Sequence, residues 1–327
     1  MSGDSTVGQM ATYAIHAAVE LDVLGALGRR ACSAADLAEE LDVDAGSLSR
    51  LLRTLWALGV LSEEDGVFRP GPMAPFSYDG SIGDPDPAYP LSPAWAALAD
   101  AVRTGRAAFE IVFGLPFFVY LDKHPELGTH FHTRMGTRGE RRDALVAEAY
   151  DFSRFGTVID VGGGTGGLLA GILRRHPSTQ GVLFDQASVL ACAREELDES
   201  VLRRIELAAG DMFASVPEGG DAYLLSSILH DWDDEQSVQL LEVIRAAMPP
   251  SASLLIVEMV LPDDSREVAM KLLDLEMMVL TGGKERTRQE FSELLQRAGL
   301  QLESTIATDS LYTIVVARRA DSAQNPA

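Results

Sequence analysis

The residues best equipped for chemistry sit in six short runs, each just after an apolar stretch. In Asp160-Val161-Gly162-Gly163-Gly164-Thr165-Gly166-Gly167, five glycines crowd six positions. Such a loop lets backbone approach a ligand closely and offers helix N-terminal N–H groups to its anionic part. Gly162, Gly164 and Gly167 also satisfy G-x-G-x-x-G, so a dinucleotide site fits this loop taken alone. Asp185 ends the next apolar run, about 20 residues on, where a carboxylate can accept both hydroxyls of a ribose. Gly210-Asp211-Met212-Phe213 ends the third run. An acid and an apolar side chain there could hold an adenine amino group and cover the ring; a helix cap followed by core residues reads the same way.

The fourth run leads into His230-Asp231-Trp232-Asp233-Asp234, Glu258 ends the fifth, and Glu285 lies in Thr281-Gly282-Gly283-Lys284-Glu285-Arg286-Thr287. One imidazole between two carboxylates would be oriented by them and favoured as a proton acceptor. Glu258 could also be a buried charge held by another partner, and Glu285 a solvated loop acid. Three acids beside a histidine suggest a metal. However, Asp233 with Gln236 makes a capping box, acids suit a first helical turn, and the spacing matches no familiar ligand pattern. No metal is expected.

These runs need elements to hold them. Apolar segments at 158–161, 181–184, 205–208, 222–226 and 254–257 alternate with helical stretches, the pattern of a doubly wound parallel sheet. Two further β-rich segments, 300–306 and 311–317, are joined by a short turn, so an α/β sheet of seven strands with an antiparallel last strand is expected.

The N-terminal part differs. Ser33 is placed to cap one helix and Asp44 a second, whose Leu48, Leu51, Leu52, Leu55 and Leu58 recur at helical spacing until Gly59. Asp65-Gly66 then turns a hairpin. Two helices and a hairpin make a winged helix-turn-helix, yet residues 1–70 carry 11 acidic and 5 basic side chains, and the second helix offers only Arg50 and Arg53. The chain as a whole has 27 basic and 49 acidic residues, a net charge of −22. A nucleic-acid partner needs clustered cations, so the module reads as an oligomerisation or lid element instead. The apolar opening stretch Ile15 to Leu27 would suit exchange with a partner chain.

Seven of the 15 prolines fall between Pro70 and Pro93, a linker or surface loop. Helical patterns return at 95–102 and 126–150. The aromatics Phe109, Phe113, Phe117, Phe118 and Tyr120 between them serve equally as core or as a wall for an aromatic ligand. No apolar run approaches the roughly 20 residues of a membrane span, and no secretory signal is visible. Cys32 and Cys192 are the only cysteines, which suggests a reduced, cytoplasmic protein. The tail 321–327 is expected to be disordered.

Taken in order, Asp160-Val-Gly-Gly-Gly-Thr-Gly166, Phe184-Asp185, Gly210-Asp-Met-Phe213, Leu229-His-Asp-Trp232, Ile256-Val-Glu258 and Gly282-Gly-Lys-Glu-Arg-Thr287 resemble the S-adenosylmethionine-dependent, metal-independent O-methyltransferases of small molecules. Plant caffeic acid and isoflavone enzymes and bacterial polyketide-tailoring enzymes belong to that family. The resemblance covers residues 10–318. It implies a class I methyltransferase Rossmann-like domain at 151–320, an acceptor-lining helical region at 96–150, and a winged-helix homodimerisation domain at 1–95. It also implies S-adenosyl-L-methionine as cofactor, held by Gly162, Asp185, Asp211, Met212 and Ser226. His230 would be the base, bracketed by Glu258 and Glu285. Asp231, Phe131 and Met135 would meet a hydroxylated small-molecule acceptor. Plant members often carry Lys where Ser226 stands. The resemblance further points to bacterial antibiotic or other secondary metabolism. Some relatives use the same scaffold for hydroxylation or decarboxylation, which is the alternative activity.

Overall fold

The computed structural model describes residues 3–73, 91–262 and 267–320. The expected disordered tail and most of the proline-rich stretch lie outside them. The chain forms two compact bodies, residues 1–123 with 262–285 and residues 124–261 with 286–327. Neither is a contiguous stretch, whereas the domains implied by the resemblance are consecutive pieces divided near 95 and 150.

In the first body, α1 (Gly3–Glu20) and α2 (Val23–Arg29) precede a short strand β1 (Cys32–Ser33), then α3 (Ala34–Leu41) and α4 (Ala45–Ala57). Ser33 and Asp44 cap α3 and α4 through the backbone N–H groups of Asp36 and Ser47, as their sequence positions suggested. Strands β2 (Leu61–Glu64) and β3 (Val67–Pro70) form the hairpin, turning at Asp65 and Gly66, both with positive φ. β3 also pairs with β1, giving a three-stranded wing. Short helices α5 (Ser92–Ala96), α6 (Leu98–Thr104), α7 (Ala108–Phe113) and α8 (Phe117–Lys123) follow, the expected single helix over 95–102 being interrupted at Ala97. Phe109 lies tilted against Phe113 and edge-to-face with Phe117 and Tyr120, at centroid distances of 4.4–5.3 Å, so the aromatic cluster packs on itself.

No single helix among the described residues is long and apolar enough to cross a membrane. The bent pair α1–α2 passes on length and composition, and its Ala14, Ala17, Ala18 and Val23 are buried in the body.

The second body opens with α9 (Pro125–Ala149). It continues β4 (Thr157–Val161), α10 (Gly167–Arg175), β5 (Gln180–Asp185), α11 (Ala187–Glu196), α12 (Glu199–Leu202), β6 (Ile205–Ala209), β7 (Ala222–Ser226), α13 (Asp234–Ala247) and β8 (Ser253–Leu261). After the excursion of α14 (Val268–Leu280) into the first body, it closes with β9 (Arg286–Thr287), α15 (Arg288–Arg297), β10 (Leu300–Ala307) and β11 (Tyr312–Arg319). The sheet order is β10-β11-β8-β7-β4-β5-β6, with β9 paired to β8. All neighbours are parallel except those of β11, which runs against both β8 and β10. The seven expected strands and the reversed last one are present; β9 is an addition.

Strand alternation loads both faces of this sheet. Val158, Leu224, Leu255 and Val257 enter one core, and Ile159, Val161, Tyr223, Leu225 and Ile256 the other. Because β4 has β5 on one side and β7 on the other, the chain order reverses there, which opens a crevice at the carboxyl ends of these strands.

Candidate active site

The glycine loop rises from β4 at that crevice. Gly162, Gly164 and Gly166 have φ of 69°, 60° and 81°, where a side chain would be strained. A Cβ on Gly162 would lie 2.6 Å from Ile228 Cδ1 and 3.8 Å from Met212 Sδ, so this glycine and Met212 share one site. The Gly164 N–H donates to Asp185 Oδ2 at 2.8 Å, and the Gln186 N–H to Asp185 Oδ1 at 2.7 Å. The end of β5 is thereby tied to the loop. Asp211 accepts the Phe213 N–H at 2.9 Å and so braces a turn. No helix follows it within the next residues, so its helix-cap reading does not hold. Phe213 meets Trp232 edge-on at 4.8 Å.

Ser226 ends β7, and its Oγ is buried without a hydrogen-bond partner among the described residues. The next residue, Ser227, sits at φ 56° and accepts a hydrogen bond from Arg142 Nη1 at 2.9 Å. Arg142, on α9, also donates to Asp143 Oδ1 from Nε at 2.8 Å and lies over the Tyr312 ring at 5.2 Å. Burial works against its charge, but Asp143 outweighs that and raises its pKa. Nearby Asp160 is 1% exposed. Burial, then the charges of Asp143 and Asp185, push its carboxyl up to about 8, with Arg142 opposing.

His230 stands on a 3₁₀ turn, Leu229–Asp231, beyond β7. Its Nδ1 is 3.6 Å from Glu258 Oε2, and its Nε2 is 3.9 Å from Asp231 Oδ2. Glu258 is fully buried, and its Oε1 accepts the N–H groups of Ile228 and Leu229, both at 2.9 Å. Glu258 does not end its strand, as the apolar run suggested: β8 continues to Leu261, because Met259 pairs with Tyr312 and Val260 with Arg286. The turn has a second anchor, Arg286, only 1% exposed. It donates to the carbonyls of Leu229 (2.8 Å) and Trp232 (3.0 Å), to Asp234 Oδ1 (2.9 Å) and to Ser237 Oγ (3.1 Å).

The structure therefore brings Gly162 to Met212, Asp185 to the glycine loop, and His230 to Glu258 and Asp231. Phe131 is half-buried on α9, and the Met135 side chain lies outside the described residues. Glu285 is the last residue of the other body, 5% exposed, with its N–H donating to Asp274 Oδ1 at 3.0 Å. Sequence reasoning missed Arg142, Asp143 and Arg286. The first two carry no signal beyond charge on a long helix. Arg286 did stand within a quoted motif.

A glycine loop at a topological switch point, in the same body as an imidazole 3.6 Å from a buried carboxylate, is the arrangement of a doubly wound α/β fold with a ligand crevice. The chain matches the O-methyltransferase domain over residues 95–301 and the O-methyltransferase dimerisation domain over residues 4–76. It is 40% identical to the phenazine O-methyltransferase PhzM of Lysobacter antibioticus over 321 residues, covering 95% of this chain and 93% of that protein. It also resembles the crystal structure of NcsB1, an O-methyltransferase from neocarzinostatin biosynthesis in complex with S-adenosylmethionine and 2-hydroxy-5-methyl naphthoic acid. That match has a TM-score of 0.66 and 30% identity, over 96% of each chain. Aclacinomycin 10-hydroxylase RdmB of Streptomyces purpurascens is 33% identical, over 91% of this chain and 83% of that one. The protein belongs to the S-adenosylmethionine-dependent O-methyltransferase family and carries that family's dimerisation domain.

Proposed function

We propose that this protein transfers a methyl group from S-adenosyl-L-methionine to a hydroxyl of an aromatic or polyketide-like small molecule, with His230 as general base and no metal. The observation that carries the reading is the imidazole of His230 facing, at 3.6 Å, a buried carboxylate that two backbone N–H groups fix in place. The surroundings of the glycine loop fit the cofactor: a cradle at Gly162 that a Cβ would fill, and the buried Ser226 Oγ open to a partner. Gly162 backbone, Asp185, Asp211 and Met212 would hold the nucleoside part. Ser226, with Arg142 added on geometric grounds, would hold the methionyl part. When bound, the cofactor supplies a methyl group already activated on a sulfonium.

The protein's own task is to present the acceptor oxygen in line and to take its proton. A phenol with pKa near 10 is mostly protonated at neutral pH, so the base matters. With the Nδ1 proton directed to Glu258, His230 accepts at Nε2 and Glu258 stabilises the imidazolium, a task that the family resemblance gives to Glu285 as well. By the family resemblance, the positions of Asp231, Phe131 and Met135 would line the acceptor site.

The protein works as a homodimer through its N-terminal domain, a reading supported by the dimerisation-domain match. It acts in the cytoplasm in bacterial antibiotic tailoring. The reading that the winged helix has no nucleic-acid partner is supported by its net acidic charge and by the burial of Arg50.

The test is a panel of aromatic hydroxy compounds with labelled S-adenosylmethionine. Label in the acceptor, resistant to chelators, supports the reading. His230→Ala is expected to keep cofactor affinity while turnover drops about 10²–10⁴-fold. Near-parental turnover would remove His230 as the base. The RdmB likeness keeps hydroxylation as a second reading; product gaining an oxygen atom, with no label, would favour it.

A further inference from the structure

The second helix of the winged motif carries one of the two buried arginines among the described residues. Arg50 on α4 is 8% exposed and reaches Asp274, which is 2% exposed on α14. The contact is bidentate: Nη2 lies 2.9 Å from Oδ1, and Nε donates to Oδ2 at 3.1 Å. Nη2 also donates to the Asp274 carbonyl. On the same helices, Thr54 Oγ1 donates to the carbonyl of Lys271 at 3.3 Å.

Such a pair is a weak source of net stability, because the desolvation of two charges offsets much of their attraction. What it supplies is geometry, since a guanidinium fork fixes a carboxylate in one orientation. Fixed that way, Asp274 Oδ1 has one further occupant, the backbone N–H of Glu285 at 3.0 Å. Gly282, with φ 79°, and Gly283 leave the segment before Glu285 little stiffness of its own.

We propose that Arg50 and Asp274 are positioning residues for Glu285: the helix that would read DNA in a winged-helix regulator here aims a reaction carboxylate. The inference rests on the reading above that Glu285 supports the His230 imidazolium.

The test follows the imidazole itself. The midpoint of the His230 titration is measured by NMR in free, full-length protein with labelled histidine, the signal being assigned by its loss in His230→Gln. Glu285→Gln should move the midpoint to lower pH by about one unit, since a nearby carboxylate favours the imidazolium. The paired change Arg50→Met with Asp274→Leu replaces the ion pair by apolar groups of similar size, which buried pairs often tolerate. It removes the acceptor for the Glu285 N–H. It should move the midpoint the same way, and should add nothing in a Glu285→Gln background. A folded paired variant with the parental midpoint, while Glu285→Gln shifts it, overturns the positioning role alone. A parental midpoint in Glu285→Gln overturns the role of Glu285, and the positioning role with it. If the paired variant does not fold, Arg50→Lys decides: it keeps the charge but not the fork, and a parental midpoint there refutes the proposal.

Discussion

Replacing Glu258 by glutamine changes one atom and reverses the logic of the base. The amide oxygen can still accept the Ile228 and Leu229 N–H groups, so the turn keeps its support. The other position, 3.6 Å from His230 Nδ1, becomes an NH₂ donor without charge. At that distance the lost attraction to an imidazolium is about 4.6 kcal/mol at an effective dielectric of about 20. Because the His230 side chain is 17% exposed, water screens part of this. Taking about half leaves roughly 2 kcal/mol, or about 30-fold in kcat. An amide donor also favours the tautomer protonated at Nε2, which cannot accept the substrate proton, so 30-fold is a lower expectation. The assay is label transfer from S-adenosylmethionine under saturating conditions, with cofactor affinity measured separately by calorimetry. The acid limb of the kcat–pH profile should move to lower pH, since the imidazolium has lost its counter-charge. A Glu258→Gln enzyme with unchanged kcat, pH profile and cofactor affinity would refute this account of the base.

Three other expectations rest on the same body. Asp160 has its carboxyl raised from 3.8 to about 8 in the folded protein, so the native state binds an extra proton between those values and loses stability as pH rises through them. In cofactor-free protein, Asp160→Asn should therefore melt progressively higher than the parent as pH climbs from about 4 to about 8, and a constant difference would count against the buried neutral carboxyl. Gly162→Ala forces a side chain into φ 69° and against Ile228, so it should cost about 1–2 kcal/mol by thermal or urea unfolding and weaken S-adenosylmethionine binding in calorimetry. Arg286→Met strips partners from two carbonyls and from Asp234 and should lower stability by about 3 kcal/mol, with a melting point near the parent's as the contrary result.

Local signals were legible wherever a hydrogen bond closes within three or four residues. Ser33 and Asp44 could be read as caps, and Asp65-Gly66 as a turn, because each satisfies backbone that it immediately adjoins. The strands of the second body were equally plain, since a sheet covered on both faces demands continuous apolar runs. Their ends were less so. Met259, Val260 and Leu261 resume the apolar run, but the charge at Glu258 reads as its end; β9 and β11, arriving from elsewhere in the chain, hold those residues extended. The path of α14 was likewise hidden, because an apolar helix does not say which core it enters.

The sequence alone determined the order of the elements, the glycine loop after the first strand of the sheet, and the acid that ends β5. Those features depend on backbone conformation and alternation, which neighbouring residues specify. Only the tertiary structure decided which charges meet: Glu258 with His230, Arg142 with Asp143 and Ser227, Arg286 with the carbonyls around the histidine turn, and Arg50 with Asp274. Arg50 and Asp274 lie 224 positions apart. No local pattern encodes such a pair. It exists because a charge driven out of water by packing must be matched by whatever partner the fold delivers there.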